Sequence, residues 1–348
     1  MSDSKLYALL VGINKYKANK EFRNLVACVN DVNIMKSILE EKYPAENRII
    51  KTLTNENATK HNIIEGFEKH LSQAGPNDFL LFYYSGHGAT EKTPDEFLPY
   101  NPSFQMENIV CHDSRTGDVF DLADKEIAYL LHKASAQNPK VVVIMDCCHS
   151  GSGTRSQKEE GEDGEGETVS QVNVRNGDMN KKTRPGTAFY GYEKVTDFAP
   201  TASNHLLLSA CRNHQKAKAA LIGGSLRGVF SYCLTKALKE NPDINYVDLF
   251  KKAESLVAIE GFEQQPQFQT VGLVDPFNGF LSTKRNIGEQ ILPLVKEGSD
   301  ENARWYINKG YLSLKHFDFS QTGHGLKLGI YEQRAEVSEE NLVAEASS

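Results

Sequence analysis

The sequence predicts an α/β fold in three layers, a central and mostly parallel sheet flanked on both faces by helices. Three observations predict it. Several segments are almost continuously apolar over strand lengths, which suits strands buried on both faces. Amphipathic segments with helical spacing separate them. Strand and helix then alternate along the chain, which calls for right-handed crossovers between parallel strands.

Taken in order, LYALLVGI (6–13) is the first expected strand. A helix follows with Cys28, Val32, Met35 and Leu39 at spacings of four, three and four. The segment around Ile49 to Leu53 is the next strand, and Ile63, Phe67 and Leu71 mark another helix, with Thr59 placed to cap it. DFLLFYYS (78–85) and KVVVIMD (140–146) are further buried strands. From Gly151 to about Gly186 the chain turns rich in Gly, Ser, Glu, Lys and Arg, including EEGEDGEGE (159–167). Such composition buries too little apolar surface to offset its ordering entropy, so a mobile loop is expected. Order resumes at HLLLSAC (205–211). One helix should carry Leu226, Val229, Phe230, Cys233, Leu234, Ala237 and Leu238, and a second should span Tyr246 to Ile259. The stretch after Thr283 holds the only tryptophan, Trp305, and ends in an acidic tail.

At 348 residues the chain can bury a sizeable core. Its formal net charge of -7 argues against a nucleic-acid partner, which would normally meet a basic surface. No apolar run is long enough to span a bilayer, and the N-terminal residues lack the pattern of a secretory signal. Six cysteines, none in C-x-x-C spacing, suggest neither a disulfide scaffold nor a structural zinc site. A reduced, cytoplasmic setting is the expectation.

Two of the expected strands finish in chemically loaded turns, Tyr84-Ser85-Gly86-His87-Gly88 and Asp146-Cys147-Cys148-His149-Ser150-Gly151. If the strands are parallel neighbours, both turns emerge at one edge of the sheet, where functional groups gather in folds of this class. An imidazole beside a thiol raises the reactive thiolate fraction and can later protonate a leaving amine. Adjacent glycines let a substrate backbone approach and free N–H groups to stabilise an oxyanion. Successive strand residues point to opposite faces, so only one of Cys147 and Cys148 should face His87. Cys28, Cys111, Cys211 and Cys233 read as core packing. A metal site from His87, Cys147, Cys148 and His149 is disfavoured, because consecutive residues do not readily converge on one ion.

YSGHG and DCCHSG, in this order, resemble the catalytic motifs of caspase-like peptidases of the metacaspase and orthocaspase type. The resemblance covers residues 5 to 282 and includes YALLVGINKY, LVACVNDV, LLLSACR (206–212) and GVFSYCLTKAL (228–238). It implies a caspase-like sandwich, His87 as the catalytic histidine and Cys148 as the nucleophile. The backbone N–H groups of Gly88 and Cys148 would form the oxyanion hole. It also implies a large-subunit-like region at 1–152, a linker at 153–203, a small-subunit-like region at 204–283 and an extension at 284–348.

Asp31 borders the apolar face of its helix and Asp146 ends an otherwise apolar strand, unusual positions for carboxylates. Asp31 could simply buttress a backbone turn. The resemblance instead places Asp31, Ser85 and Asp146 around the side chain preceding the scissile bond, where two carboxylates and a hydroxyl suit Arg or Lys. The substrates would then be proteins or peptides with basic residues. The loop offers Arg155, Lys158, Arg175, Lys181 and Lys182 as self-cleavage sites, with Arg184 disfavoured by the following Pro185. These charges could equally be mere solvating groups.

Many metacaspases require calcium, and Glu107, Asp113, Asp118, Asp121 and Asp124 are the candidates here. Lys125 stands where a further acid would help, so the expectation is that no cofactor is required. GGSLRG (223–228) lacks the ending of a phosphate loop and reads as a flexible lead-in to the following helix. The expected function is hydrolysis after Arg or Lys through Cys148 and His87. A catalytically silent scaffold and a thiol transpeptidase are the alternatives, and the extension is a candidate surface for a regulatory partner.

Overall fold

The structure is a computed structural model that describes residues 4–18, 20–98, 105–147, 184–191, 203–211, 217–222 and 224–286, together with the backbone of short strands at 173–174 and between 294 and 345. In chain order the elements are β1 (Leu6–Gly12), α1 (Cys28–Lys42), β2 (Arg48–Thr54), α2 (Lys60–Glu65), β3 (Phe79–Ser85), β4 (Gly88–Lys92), β5 (Gln105–Ile109), β6 (Leu122–Ala123), α3 (Asp124–Ala134), β7 (Lys140–Asp146), β8 (Asn173–Val174), β9 (His205–Ser209), β10 (Lys218–Ile222), β11 (Ser225–Gly228), α4 (Val229–Glu240), α5 (Tyr246–Ile259) and β12 (Gln267–Val271). Contacts divide the chain into two compact units, Met1–Lys284 and Arg285–Ser348.

The main sheet has the order β12-β9-β7-β3-β1-β2. β2, β1, β3, β7 and β9 run parallel, and β12 closes the edge antiparallel to β9. This is the expected caspase-like architecture. The two-residue period of the strands sorts their side chains into two cores. Leu6, Ala8 and Leu10 of β1 join Val32, Met35 and Leu39 of α1 and the apolar faces of α4 and α5. Tyr7, Leu9 and Val11 instead meet Ile63 and Ile64 of α2 and Ile127, Leu130 and Leu131 of α3. Each fully buried Val, Leu, Ile or Met among them contributes about 1.5–3 kcal/mol.

Gly12 ends β1 so close to α1 that a Cβ there would lie 2.7 Å from both the Cys28 carbonyl and a Val32 methyl. The helix therefore sits tight against the strand end, which brings Asp31 to the carboxyl edge of the sheet. The chain order reverses between β1 and β3, and crevices at such reversals hold functional sites in open α/β sheets.

Several elements differ from expectation. The helix begun at Lys60 is α-helical only to Glu65 and continues as a wider turn, Gly66–His70, before Leu71–Gln73. Leu226 belongs to β11, not to the following helix, and residues 224–228 of GGSLRG enter the β10–β11 hairpin, with 225–228 as its second strand. Gly224 adopts φ +79°, which tight hairpin turns require. A second small sheet, β4-β5-β6, had no counterpart in the sequence reading. Within the expected loop, β8 adds to β10 as a third strand, and residues 184–191 are held against the first half of the chain. The second unit is antiparallel: Leu294–Glu297 pairs with Arg304–Ile307, which pairs with Val343–Glu345.

Candidate active site

Three strand ends stand in register at the carboxyl edge of the sheet, Gly12 beside Ser85 and Ser85 beside Asp146. The Ile13 N–H donates to Ser85 O at 3.0 Å, and the Gly86 N–H donates to Asp146 O at 3.3 Å. The ladder thus runs one residue past β3 and fixes the turn carrying His87. Gly86 is required there, since a Cβ would lie 2.4 Å from the Tyr84 hydroxyl.

His87 is held on every side. Its backbone N–H donates to the Tyr16 hydroxyl at 2.8 Å, and its carbonyl accepts from the Tyr84 hydroxyl at 2.7 Å. Its ring packs against Tyr16 and Phe22, with centroids 4.9 and 5.8 Å away. The Arg115 guanidinium lies 4.5 Å from the centroid of the Phe22 ring. The His87 Nε2 lies 2.7 Å from the Arg23 carbonyl. A carbonyl only accepts, so Nε2 carries the proton and the neutral ring keeps its basic lone pair on Nδ1. Arg23 acts through its backbone, which no side-chain motif could signal.

The Val110 N–H donates to His87 O at 3.0 Å. With Gly88 opposite Ile109, that bond makes them a non-hydrogen-bonded pair, so the β4–β5 ladder leaves the Gly88 N–H unused. Cys147 is buried, in the core that also holds Tyr84 and Met145. Cys148, the expected nucleophile and second oxyanion donor, lies outside the described residues. Cys28, Cys111, Cys211 and Cys233 are all buried. Burial pushes the Cys111 thiol well above its ordinary value and pushes Cys233 up to about 12, so neither forms a thiolate near neutrality.

Asp31, Ser85 and Asp146 converge, and all three are 0% exposed. The Ser85 hydroxyl donates to Asp31 Oδ2 at 3.2 Å. The start of α4 secures both carboxylates. The Gly228 N–H donates to Asp31 at 3.0 and 3.1 Å, and the Ser231 N–H and hydroxyl donate to Asp146 Oδ2 at 3.2 and 2.5 Å. Helix N-termini leave such donors unused, and their dipole favours negative charge. Ser231 also hydrogen-bonds the Tyr83 hydroxyl at 2.6 Å. Arg227 was not anticipated: its Nε lies 3.2 Å from Asp31 Oδ1. Asp31 therefore does buttress a turn, and it also faces a resident cation.

Of the candidate cleavage residues, Arg155, Lys158, Arg175, Lys181 and Lys182 lie outside the described residues. Arg175 directly follows β8, whose Val174 pairs with Lys218. Arg184 is buried. It pairs with Glu91 and with Glu126, the latter at 2.9 Å, and its guanidinium lies 3.8 Å from the centroid of the Phe189 ring. The Tyr190 N–H also donates to Glu126, at 2.7 Å. This burial bars cleavage at Arg184 more firmly than Pro185 alone.

Three of the five calcium candidates already have partners within the chain. Asp121 is bound by Arg115 at 2.8 Å, an Asp113 carboxylate oxygen accepts the Lys60 backbone N–H at 2.8 Å, and Lys125 lies 3.6 Å from Asp124. Among the described residues, no three His, Cys, Asp or Glu side chains are grouped to hold an ion. The acidic Glu126 meets Lys60 at 2.9 Å as well as Arg184. Burial works against its ionisation, but Arg184 and Lys60 outweigh burial and bring its pKa below the ordinary range. Glu91 goes the other way, with burial raising its pKa despite Arg184.

Comparison with known proteins agrees with this architecture. Residues 5–278 match the caspase domain family. Metacaspase-1A of Aspergillus oryzae is 28% identical over 286 residues, covering 75% of this chain and 66% of the relative. Metacaspase-1 of Ajellomyces capsulatus is 28% identical over 292 residues, covering 76% of this chain and 79% of the relative. A crystal structure of a Geobacter sulfurreducens protein superposes with a TM-score of 0.55 at 22% identity, covering 82% of this chain and all of that one.

Proposed function

Because the chain belongs to the caspase domain family, we propose that it is a cysteine endopeptidase that cleaves after Arg or Lys with Cys148 and His87. The observation that carries the reading is the His87 turn. It is a buried imidazole one strand away from the end of β7, with its tautomer set by the Arg23 carbonyl. Chain continuity brings Cys148 two residues beyond Asp146. In the proposed reaction the Cys148 thiol gives its proton to His87 Nδ1, and the sulfur attacks the scissile carbonyl. The oxyanion takes hydrogen bonds from the Gly88 and Cys148 N–H groups. Collapse breaks the C–N bond, His87 protonates the departing amine, and water then hydrolyses the thioester through the same base.

Asp31 and Asp146 supply the charge for a basic side chain, and Ser85 joins them through its bond to Asp31. The relatives named metacaspases support the peptidase reading. Self-processing in the 153–203 linker and independence of calcium belong to the same proposal, the latter supported by the pairing of Asp121 with Arg115. Among the described residues no helix is long and apolar enough to cross a membrane. A silent scaffold is favoured by one observation, the complete burial of the carboxylates. Labelling separates the readings. A peptidyl electrophile ending in Arg should modify Cys148 of the intact chain, as mapped by mass spectrometry, and His87→Ala should abolish the modification. Absence of labelling on a folded chain would favour the scaffold.

A further inference from the structure

We propose that Arg227 is a specificity-determining residue, a resident cation that competes with the substrate's basic side chain for Asp31. This rests on the basic-pocket reading of Asp31 and Asp146. Arg227 is 196 residues from Asp31 in sequence, is 7% exposed, and reaches the carboxylate from β11, the second strand of the β10–β11 hairpin. Asp31 then meets Arg227, Gly228 and Ser85 as donors. Oδ1 takes Arg227 Nε and the Gly228 N–H, and Oδ2 takes the Ser85 hydroxyl and the same Gly228 N–H. A carboxylate has about four lone-pair sites, so an incoming guanidinium must replace a donor already present.

Of those donors, Arg227 is the one a basic substrate can exchange for like chemistry. The Gly228 and Ser85 donors are neutral and belong to the β11–α4 junction and the end of β3. The Arg227 side chain touches Asp31 through Nε alone. Its terminal NH2 instead donates to Thr235 Oγ1 at 3.0 Å, and its guanidinium lies 5.6 Å from the centroid of the Tyr232 ring. Thr235 and Tyr232 thus provide a second berth for the guanidinium once its hold on Asp31 is released. Asp146 accepts from neutral donors of Ser231, so the resident cation acts on one carboxylate of the two. The consequence is a pocket that admits basic side chains against competition, with affinity set by how firmly Arg227 is held.

The test compares steady-state cleavage of peptides ending in Arg or Lys by the full chain and by Arg227→Gln. The KM of the variant should fall about tenfold, the scale of one charge-assisted hydrogen bond no longer contested, with kcat little changed. Arg227→Lys should keep a KM near the parent value. A merely structural arginine would give the opposite split, with a lower kcat and melting temperature and an unchanged or higher KM, and that result in a folded variant overturns the proposal. Should Arg227→Gln fail to fold, Thr235→Val loosens the guanidinium's other anchor and is predicted to raise KM by tightening its commitment to Asp31; no rise overturns the proposal. Calorimetry with agmatine on the Cys148→Ala chain separates this inference from the peptidase reading. Tighter binding when Arg227→Gln is added supports the resident cation even if no peptide is cleaved, and equal binding overturns it.

Discussion

Two buried arginines pair with buried carboxylates, and they are held in different ways. Arg227 reaches Asp31 through one nitrogen and spends the rest of its head group on Thr235 and Tyr232. Arg184 spans Glu91 and Glu126 with separate nitrogens and stacks on Phe189, while Lys60 shares Glu126. The first arrangement suits exchange and the second permanence. A planar guanidinium satisfied at several nitrogens gives up more on leaving than one held at a single edge. The difference teaches that a buried arginine is exchangeable or permanent according to how many of its nitrogens the carboxylates hold.

The largest expected effect tests the permanent site. Glu126→Ala strands Arg184 and Lys60 in a buried setting and should cost about 3–5 kcal/mol of stability, read by denaturant unfolding. Glu91→Gln should cost less, because burial already opposes ionisation of Glu91. An equal loss would show that the two carboxylates share the cation evenly.

Acid unfolding sharpens the same contrast. Glu126 titrates below its ordinary range in the folded chain. Its contribution is therefore complete above the unfolded value of roughly 4.3 and is lost as pH falls through the lower folded value. Glu126→Gln should flatten that acid limb of the stability profile, and an unchanged limb would remove Glu126 from the account.

Two smaller effects follow. Tyr16→Phe deletes the acceptor for the His87 N–H and should cost about 1–3 kcal/mol for a buried unsatisfied donor, measured by thermal unfolding. Chelation should leave the cleavage rate unchanged, because Arg115 already holds Asp121 and Lys125 lies beside Asp124. A rate that collapses with chelator and returns with calcium would contradict the proposed independence of calcium.

Much of the fold was legible because its signals are local. β1, β3 and β7 announce themselves as apolar runs, and Tyr246 to Ile259 forms the helix its spacing implies. β4, β5, β6 and β11 are short and only partly apolar, and their identity as strands comes from pairing rather than from period. At the candidate site the turn around His87 was legible because Gly-His-Gly is a compact motif. The Arg23 carbonyl was not, since backbone groups leave no residue signature. Arg227 and Arg184 were hidden for another reason. Their partners lie far away in sequence, and a single sequence carries no trace of which buried charges meet.

The most direct test incubates the purified chain, Cys148→Ala and Cys147→Ala with peptides carrying Arg, Lys or Asp before a reporter, followed by mass spectrometry of peptide and protein. The account predicts cleavage after Arg and Lys by the parent chain and by Cys147→Ala, none after Asp, and none by Cys148→Ala. Retained cleavage by Cys148→Ala, or a preference for Asp, would contradict it.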